Sequence, residues 1–346
     1  MNYSEDYSII RNSEILEEDY IPPNIPAREP HLQEIRLCLL PLLKKRRPMS
    51  PWLYGDPGTG KTTLAKYILE EIQKNAPVQG VYVNCWKYNT FFSVLEFILN
   101  ELRINFGDER DTRVKMEKFE RFVKDKPFLI VLDEIDFMPQ KERDSLLYNF
   151  CFGRMGLMCI SHSRETLVNL ESRVRSRLLP QTVEFRPYTV KELVEILRDR
   201  ALVALHPGSW NNSLLERIAE ASDGDARVAI QGLRYAAELA EKEGSERIQT
   251  RHIERGLTNS RDLKRKYYLE RLTEHHRLLY SLIKSRPGIQ SPELWSLYLN
   301  KATAKGIEPI AKRTFSHYTS QMREKGLIRA DRVKAKGKIY SFRVKE

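Results

Sequence analysis

Between about residue 30 and residue 186, short apolar runs alternate with stretches long enough for amphipathic helices. Trp52–Tyr54, Val81–Asn84, Phe128–Asp133, Leu157–Ser161 and Thr182–Phe185 read as strands. Strands spaced by helices predict a parallel sheet with helices packed on its faces. Ahead of them, residues 1–15 read as a flexible tail. The three prolines of Tyr20–Glu29 (YIPPNIPARE) then exclude helix and favour extended chain.

After Pro187 the strand signal ends and helices follow one another. Thr189 with Glu192 makes a capping box, and Ser213 with Glu216 makes another. Asp225 caps a helix that runs to Glu243 and stops at Gly244, and Thr250 caps one more. The last stretch predicts three helices and a hairpin. The first helix runs Lys264–Lys284 and stops before Arg286-Pro287-Gly288. Ser291-Pro292 opens the second. The third follows the turn Gly306–Pro309 and ends at Gly326. Strands Leu327–Val333 and Lys338–Val344 flank Lys334–Gly337, an order that reads as a winged helix-turn-helix. The expected organisation is a tail (1–15), an α/β core (16–186), a helical domain (187–258) and a winged-helix domain with its linker (259–346).

A length of 346 residues suits two or three domains, and 41% hydrophobic with 30% charged residues excludes wholesale disorder. No apolar run approaches the roughly 20 residues of a membrane span, so no membrane role is expected. MNYSEDYSII lacks the pattern of a secretory signal. The four cysteines form no CxxC pair, which argues against zinc or a disulfide framework and for a reducing cytosol. Charge is unevenly placed. Residues 260–346 hold 21 Lys and Arg against 8 Asp and Glu, whereas residues 1–259 hold 37 against 39. A near-neutral body with a basic C-terminal quarter reads either as a solvated face or as a surface for a polyanion such as nucleic acid.

Gly55-Asp56-Pro57-Gly58-Thr59-Gly60-Lys61-Thr62, followed by Thr63, fits G-x-x-x-x-G-K-[ST] between a strand and a helix. The glycines let the backbone curl so that its N–H groups and the helix N-terminus face phosphates. Lys61 reaches the β/γ-phosphates, and the Thr62 hydroxyl suits Mg²⁺. A second motif, Pro127–Glu134 (PFLIVLDE), is a buried strand ending in two acids. Asp133 is placed to hold Mg²⁺, and Glu134 to polarise an attacking water. ATP and ADP with Mg²⁺ are therefore the expected ligands. Two further segments carry arginines: Leu170–Leu178 (LESRVRSRL), with Arg173, Arg175 and Arg177, and Gly224–Arg227 (GDAR) at the start of a helix. Taken singly these are ordinary basic surface residues, although Arg227 stands where the helix dipole disfavours a cation.

Together, YIPPNIPARE, GDPGTGKT, VYVNC, VLDEIDFM, CISHS, RVRSRL, FRPYT, SDGDAR and the winged helix span nearly the whole chain. In this order they resemble the AAA+ ATPases, and within them the archaeal replication initiators related to the eukaryotic origin recognition complex and its loader subunit. The resemblance implies that Arg227 is a sensor-two arginine reaching from the lid to the γ-phosphate. Arg177, with Arg173 as the lesser candidate, would be the finger offered to a neighbouring subunit's nucleotide. Ile25 and Arg28 would lie beside the adenine. His162 stands at the sensor-one position, where Asn is usual, and Ala27 replaces the usual His before Arg-Glu. Both departures mark a divergent paralogue. Tyr88–Leu102 falls where initiators carry a helical insertion that touches DNA, although its apolar Phe91, Phe92, Leu95, Ile98 and Leu99 are expected to pack inward.

In the third C-terminal helix, Ile310, Phe315, Tyr318 and Met322 are expected to form the core stripe. Lys312, Arg313, Ser316, His317 and Ser320 would then face outward, a set suited to phosphates and base edges. Arg332, Lys334, Lys336 and Lys338 suit a wing on the backbone or in the minor groove. His275 and His276 read as structural rather than as metal ligands. The leading expectation is an ATP-switched initiator that binds double-stranded origin DNA in the cytoplasm, at the nucleoid. Its implied partners are other initiator subunits and the replicative helicase, with slow ATP hydrolysis as the switch. The alternative is a signalling or regulatory P-loop ATPase whose winged helix is a transcriptional switch or a protein-docking module.

Overall fold

The structure is a computed structural model that describes residues 8–44, 46–107, 111–124, 126–153, 155–270, 272–324, 326–333 and 339–344. The chain divides into two compact units, residues 1–257 and 258–346.

The first unit holds helices α1 (Glu29–Leu43), α2 (Lys61–Asn75), α3 (Phe91–Glu101), α4 (Thr112–Val123), α5 (Gln140–Phe150), α6 (Glu165–Val168) and α7 (Ser172–Leu178). Among them run strands β1 (Ser50–Gly55), β2 (Gln79–Asn84), β3 (Phe128–Asp133), β4 (Met155–Ser161) and β5 (Pro180–Phe185). The strands form one parallel sheet in the order β2-β3-β4-β1-β5. Alternation along β3 builds both faces: Phe128, Ile130 and Leu132 pack with α3, α4 and α5, while Leu129 and Val131 pack with α1 and α2. Asp133 falls at the carboxyl end of β3, beside the start of α2, where α/β sheets bind ligands.

Of the insertion-like segment, Leu95, Ile98 and Leu99 are fully buried and Phe91 and Phe92 half-buried, so α3 packs as expected. A Thr90/Ser93 capping box starts it, and the Glu142 carboxylate accepts from the Phe91 amide. All four cysteines are buried and unbridged.

Helices α8 (Val190–Ala204), α9 (Asn212–Ala221) and α10 (Ala226–Lys242) form the lid, and α11 (Thr250–Glu270) follows them. The capping box of Thr189 and Glu192 and the Asp225 cap are present. At α9 the cap is Asn211, which accepts from the Leu214 amide, and Ser213 donates to Asn211 from inside the first turn. The expected tail is packed chain from Ser8 onward. Ile9, Ile15 and Leu16 are buried in the lid core, and the Ile9 carbonyl accepts from the His206 amide. Buried Arg200 donates to the carbonyls of Ile15, Glu17 and Tyr20. Burial lowers its pKa to about 10, still cationic at neutral pH. Residues 1–7 lie outside the described residues.

The second unit adds α12 (Glu274–Ser285), β6 (Ile289–Gln290), α13 (Ser291–Ala304), α14 (Lys312–Glu324), β7 (Ile328–Arg332) and β8 (Tyr340–Val344). A three-stranded antiparallel sheet, β6-β8-β7, completes a winged helix. The helix expected over 264–284 is two helices, because Thr273 caps α12 by accepting from the His276 amide.

Candidate functional site

The phosphate loop joins β1 to α2, and it is built on glycines with positive φ. Gly58 (φ +81) and Gly60 (φ +86) have no room for a side chain: a Cβ would lie 1.9 Å from Asp225 Oδ1 and 2.3 Å from the Tyr188 hydroxyl. The same closeness brings the lid onto the loop. The Ala226 amide donates to the Gly58 carbonyl at 3.0 Å. Asp225 caps α10 through the amides of Arg227 and Val228, and so aims the N-terminus of α10 at the loop. Lys61 is buried and donates to the carbonyls of Gly55 (2.6 Å) and Asp56 (2.8 Å). Burial lowers its pKa to about 8; Asp133 opposes that shift and Arg227 reinforces it. The lid arginine is thus within electrostatic reach of the phosphate-loop lysine.

Asp133 accepts three hydrogen bonds. Thr62 Oγ1 and the Tyr82 hydroxyl each donate to its Oδ2 at 2.7 Å, and the Glu134 amide donates to Oδ1 at 2.8 Å. Burial, and next the Asp133 charge, hold the Tyr82 phenol well above its ordinary range, so it stays a donor. A hydroxyl and a carboxylate at one point are hard oxygen donors, the kind that hold Mg²⁺ through a partial water shell. Glu134 follows with φ +55, an uncommon conformation for a residue with a Cβ.

His162, at the end of β4, is engaged by Asp136. Its Nδ1 lies 2.6 Å from Asp136 Oδ2, and its amide donates to Oδ1 at 3.3 Å. Burial pushes the Asp136 carboxyl up, but the charge and hydrogen bonds of His162 outweigh it and the net shift is downward. Arg28 is buried beneath the loop. It donates to the Thr59 carbonyl at 3.1 Å and to the Arg186 carbonyl at 2.7 Å, and its guanidinium lies 3.8 Å from the Tyr188 ring centroid. Ile25 is buried with Leu32 and Phe185. On α7 the arginines diverge. Both guanidiniums lie over the Tyr148 ring, but Arg177 also donates inward to the Cys151 carbonyl at 2.9 Å, whereas Arg173 is exposed beside Glu171.

Comparison with known proteins places this arrangement. The AAA domain family matches residues 45–160, and the Cdc6 AAA+ ATPase-type lid domain family matches residues 194–257. The ORC1-type DNA replication protein of Thermococcus kodakarensis is 30% identical, over 95% of this chain and 86% of that protein. The chain belongs to the ORC1-type DNA replication proteins. Its place in DNA replication is thereby fixed, and the reading as a signalling ATPase gives way. The ORC1-type DNA replication protein 1 of Sulfolobus acidocaldarius is 28% identical over 93% of this chain and 86% of that protein. Among solved structures, the Aeropyrum pernix ORC1 protein in complex with DNA covers 98% of this ORC1-type chain and 94% of its own, with a TM-score of 0.73 at 28% identity. Cdc6p from Pyrobaculum aerophilum shares the fold, with a TM-score of 0.68 at 22% identity, covering 97% of this chain and 94% of its own. The AAA+ ATPase fold makes this a nucleotide-binding protein. Among the described residues no helix is long and apolar enough to cross a membrane.

In the winged helix of this ORC1-type chain, Lys312, Arg313, Ser316 and Arg332 are exposed, and His317 and Ser320 half-exposed. Lys334, Lys336 and Lys338 lie outside the described residues. The buried stripe of α14 is Phe315, Thr319 and Met322. Tyr318 is half-buried and stacks on His276 at 3.9 Å, while Ile310 precedes the helix. His275 bonds the Tyr298 hydroxyl and His276 bonds Thr273 and Gln321, so both histidines serve the fold. Sequence reasoning missed Tyr82, Asp136, Tyr188 and Asp225 as parts of the site. Each sits inside a motif already quoted, yet only its position against a distant partner gives it a role.

Proposed function

We propose that this protein is an ATP-switched initiator that binds double-stranded origin DNA through its winged helix and helps recruit or load the replicative helicase, together with other initiator subunits. The observation that carries the switch is the lid docked on the phosphate loop, with Ala226 on Gly58 and Arg227 in electrostatic reach of Lys61. In this reading Lys61 and the loop amides hold the phosphates, and Arg227 senses the γ-phosphate from the lid. Thr62 and Asp133 hold Mg²⁺, which neutralises phosphate charge when bound. Glu134 orients the water, His162 occupies the sensor-one place held by Asp136, and Ile25 and Arg28 flank the base. Arg177, with Arg173 as the lesser candidate, would be the finger offered to a neighbour's nucleotide; within one chain Arg177 donates to the Cys151 carbonyl.

The basic C-terminal quarter supports DNA as the winged helix's target. Lys312, Arg313, Ser316, His317 and Ser320 would meet base edges and phosphates, and Arg332, Lys334, Lys336 and Lys338 would follow the backbone. The test is binding to duplex from the source organism's origin and to random duplex, with ATP and with ADP. Preference for origin duplex is expected, and Glu134→Gln should bind ATP yet stop turnover. If deletion of residues 265–346 leaves DNA affinity intact, the winged helix is not the DNA-binding element.

A further inference from the structure

Tyr82 lies on β2, within VYVNC and outside both the phosphate loop and the acidic strand β3, yet its hydroxyl reaches the carboxylate of Asp133. Its flanking residues Val81 and Val83 pack on one face of the sheet, so the phenol projects to the other, where α2 lies. Three elements therefore converge on one carboxylate: Thr62 from α2 and Tyr82 from β2 on Oδ2, and the Glu134 amide on Oδ1. Asp133 itself is only 2% exposed. Packing alone would be served by Phe, so the hydroxyl's purpose is the hydrogen bond. A buried carboxylate with no fixed donor would be free to swing. Were the Thr62 oxygen to take a metal ion through a lone pair, its O–H could still donate to Oδ2, and Tyr82 would be the second side-chain donor fixing that oxygen. Lys66 Nζ, 4.9 Å from the Tyr82 ring centroid, packs over the ring.

We propose that Tyr82 is a positioning residue for the Mg²⁺ of the nucleotide site, acting through Asp133. The proposal rests on the nucleotide-switch reading above and adds a residue to it. Groups that orient a metal's carboxylate commonly set its affinity by tenfold or more.

The experiment titrates a fluorescent ATP analogue into the full chain in EDTA, and then Mg²⁺ into the complex. Tyr82→Phe should leave binding in EDTA unchanged, lower the melting temperature in EDTA only by the loss of one hydrogen bond, and raise the half-saturating Mg²⁺ about tenfold. In an Asp133→Asn background the same substitution should add nothing. Unchanged Mg²⁺ dependence in Tyr82→Phe overturns the proposal. So does an equal loss in EDTA, which would make Tyr82 a support of the loop, and so does additivity with Asp133→Asn. If the wild-type protein binds the analogue no better with Mg²⁺ than without, the switch reading falls first, and this proposal with it.

Discussion

The Ala226 amide donates to the Gly58 carbonyl at 3.0 Å, so the lid helix α10 and the phosphate loop are joined backbone to backbone. Neither partner is a side chain that could be exchanged. The contact depends on Gly58 lacking a Cβ, because Asp225 fills that space.

Gly58→Ala should therefore damage both the loop and the lid contact. Strain at positive φ costs about 1–3 kcal/mol, and the collision with Asp225 adds to it. Urea unfolding should show the loss of stability, and nucleotide titration a loss of affinity larger than that of Gly153→Ala, where φ is also positive but a Cβ meets nothing.

Lys61 makes nucleotide binding pH-dependent. Its pKa in the free protein is about 8, lowered by burial from 10.5. Bound phosphates favour the ammonium form, so binding above pH 8 must take up a proton. Affinity should fall as pH rises from 7 to 9, with proton uptake visible by calorimetry in buffers of different ionisation heat. Lys61→Ala should bind weakly and show no such slope. Because the folded pKa lies below the unfolded one, this group's contribution to stability is present above 10.5 and lost as pH falls through 8.

The α7 arginines should separate cleanly. Arg177→Ala should leave nucleotide binding by the isolated subunit unchanged and slow hydrolysis only at concentrations where subunits assemble. Arg173→Ala should slow it less. Loss of hydrolysis in dilute Arg177→Ala monomer would refute a role across subunits.

Arg200→Ala should release the segment that runs from Ser8 to Tyr20. Three carbonyls lose their cationic donor, a cost on the order of 3 kcal/mol. Limited proteolysis should then cut near residues 8–20 in the variant before it cuts the wild type.

The winged helix should show two kinds of DNA contact. Arg313→Ala should cost about 1–3 kcal/mol on origin duplex and much less on random duplex, as loss of a guanine fork does. Lys336→Ala and Lys338→Ala should weaken both duplexes alike and lower the salt slope by about 1 each. Proportional loss on both duplexes in Arg313→Ala would make it a phosphate contact only.

What the sequence determined by itself is what local chemistry at short spacing can encode. The loop Gly55–Thr62, the strand that delivers Asp133 and Glu134, the five-strand alternation and the Asp225 cap all depend on neighbours within a turn or a strand. The structure bears them out because periodicity and φ requirements are properties of the local chain. Boundaries set by competition between neighbours were less legible. Asn211 displaced Ser213 as a cap, and Thr273 divided a helix whose apolar pattern ran on through it. Only the tertiary structure decided the rest. Tyr82 meets Asp133 across 51 residues, Arg28 meets Arg186 across 158, and Arg200 reaches Ile15 across 185. A hydroxyl or guanidinium in a strand or helix has no role until folding desolvates it beside a partner. Burial then makes that partner obligatory, because a polar group without one is costly away from water.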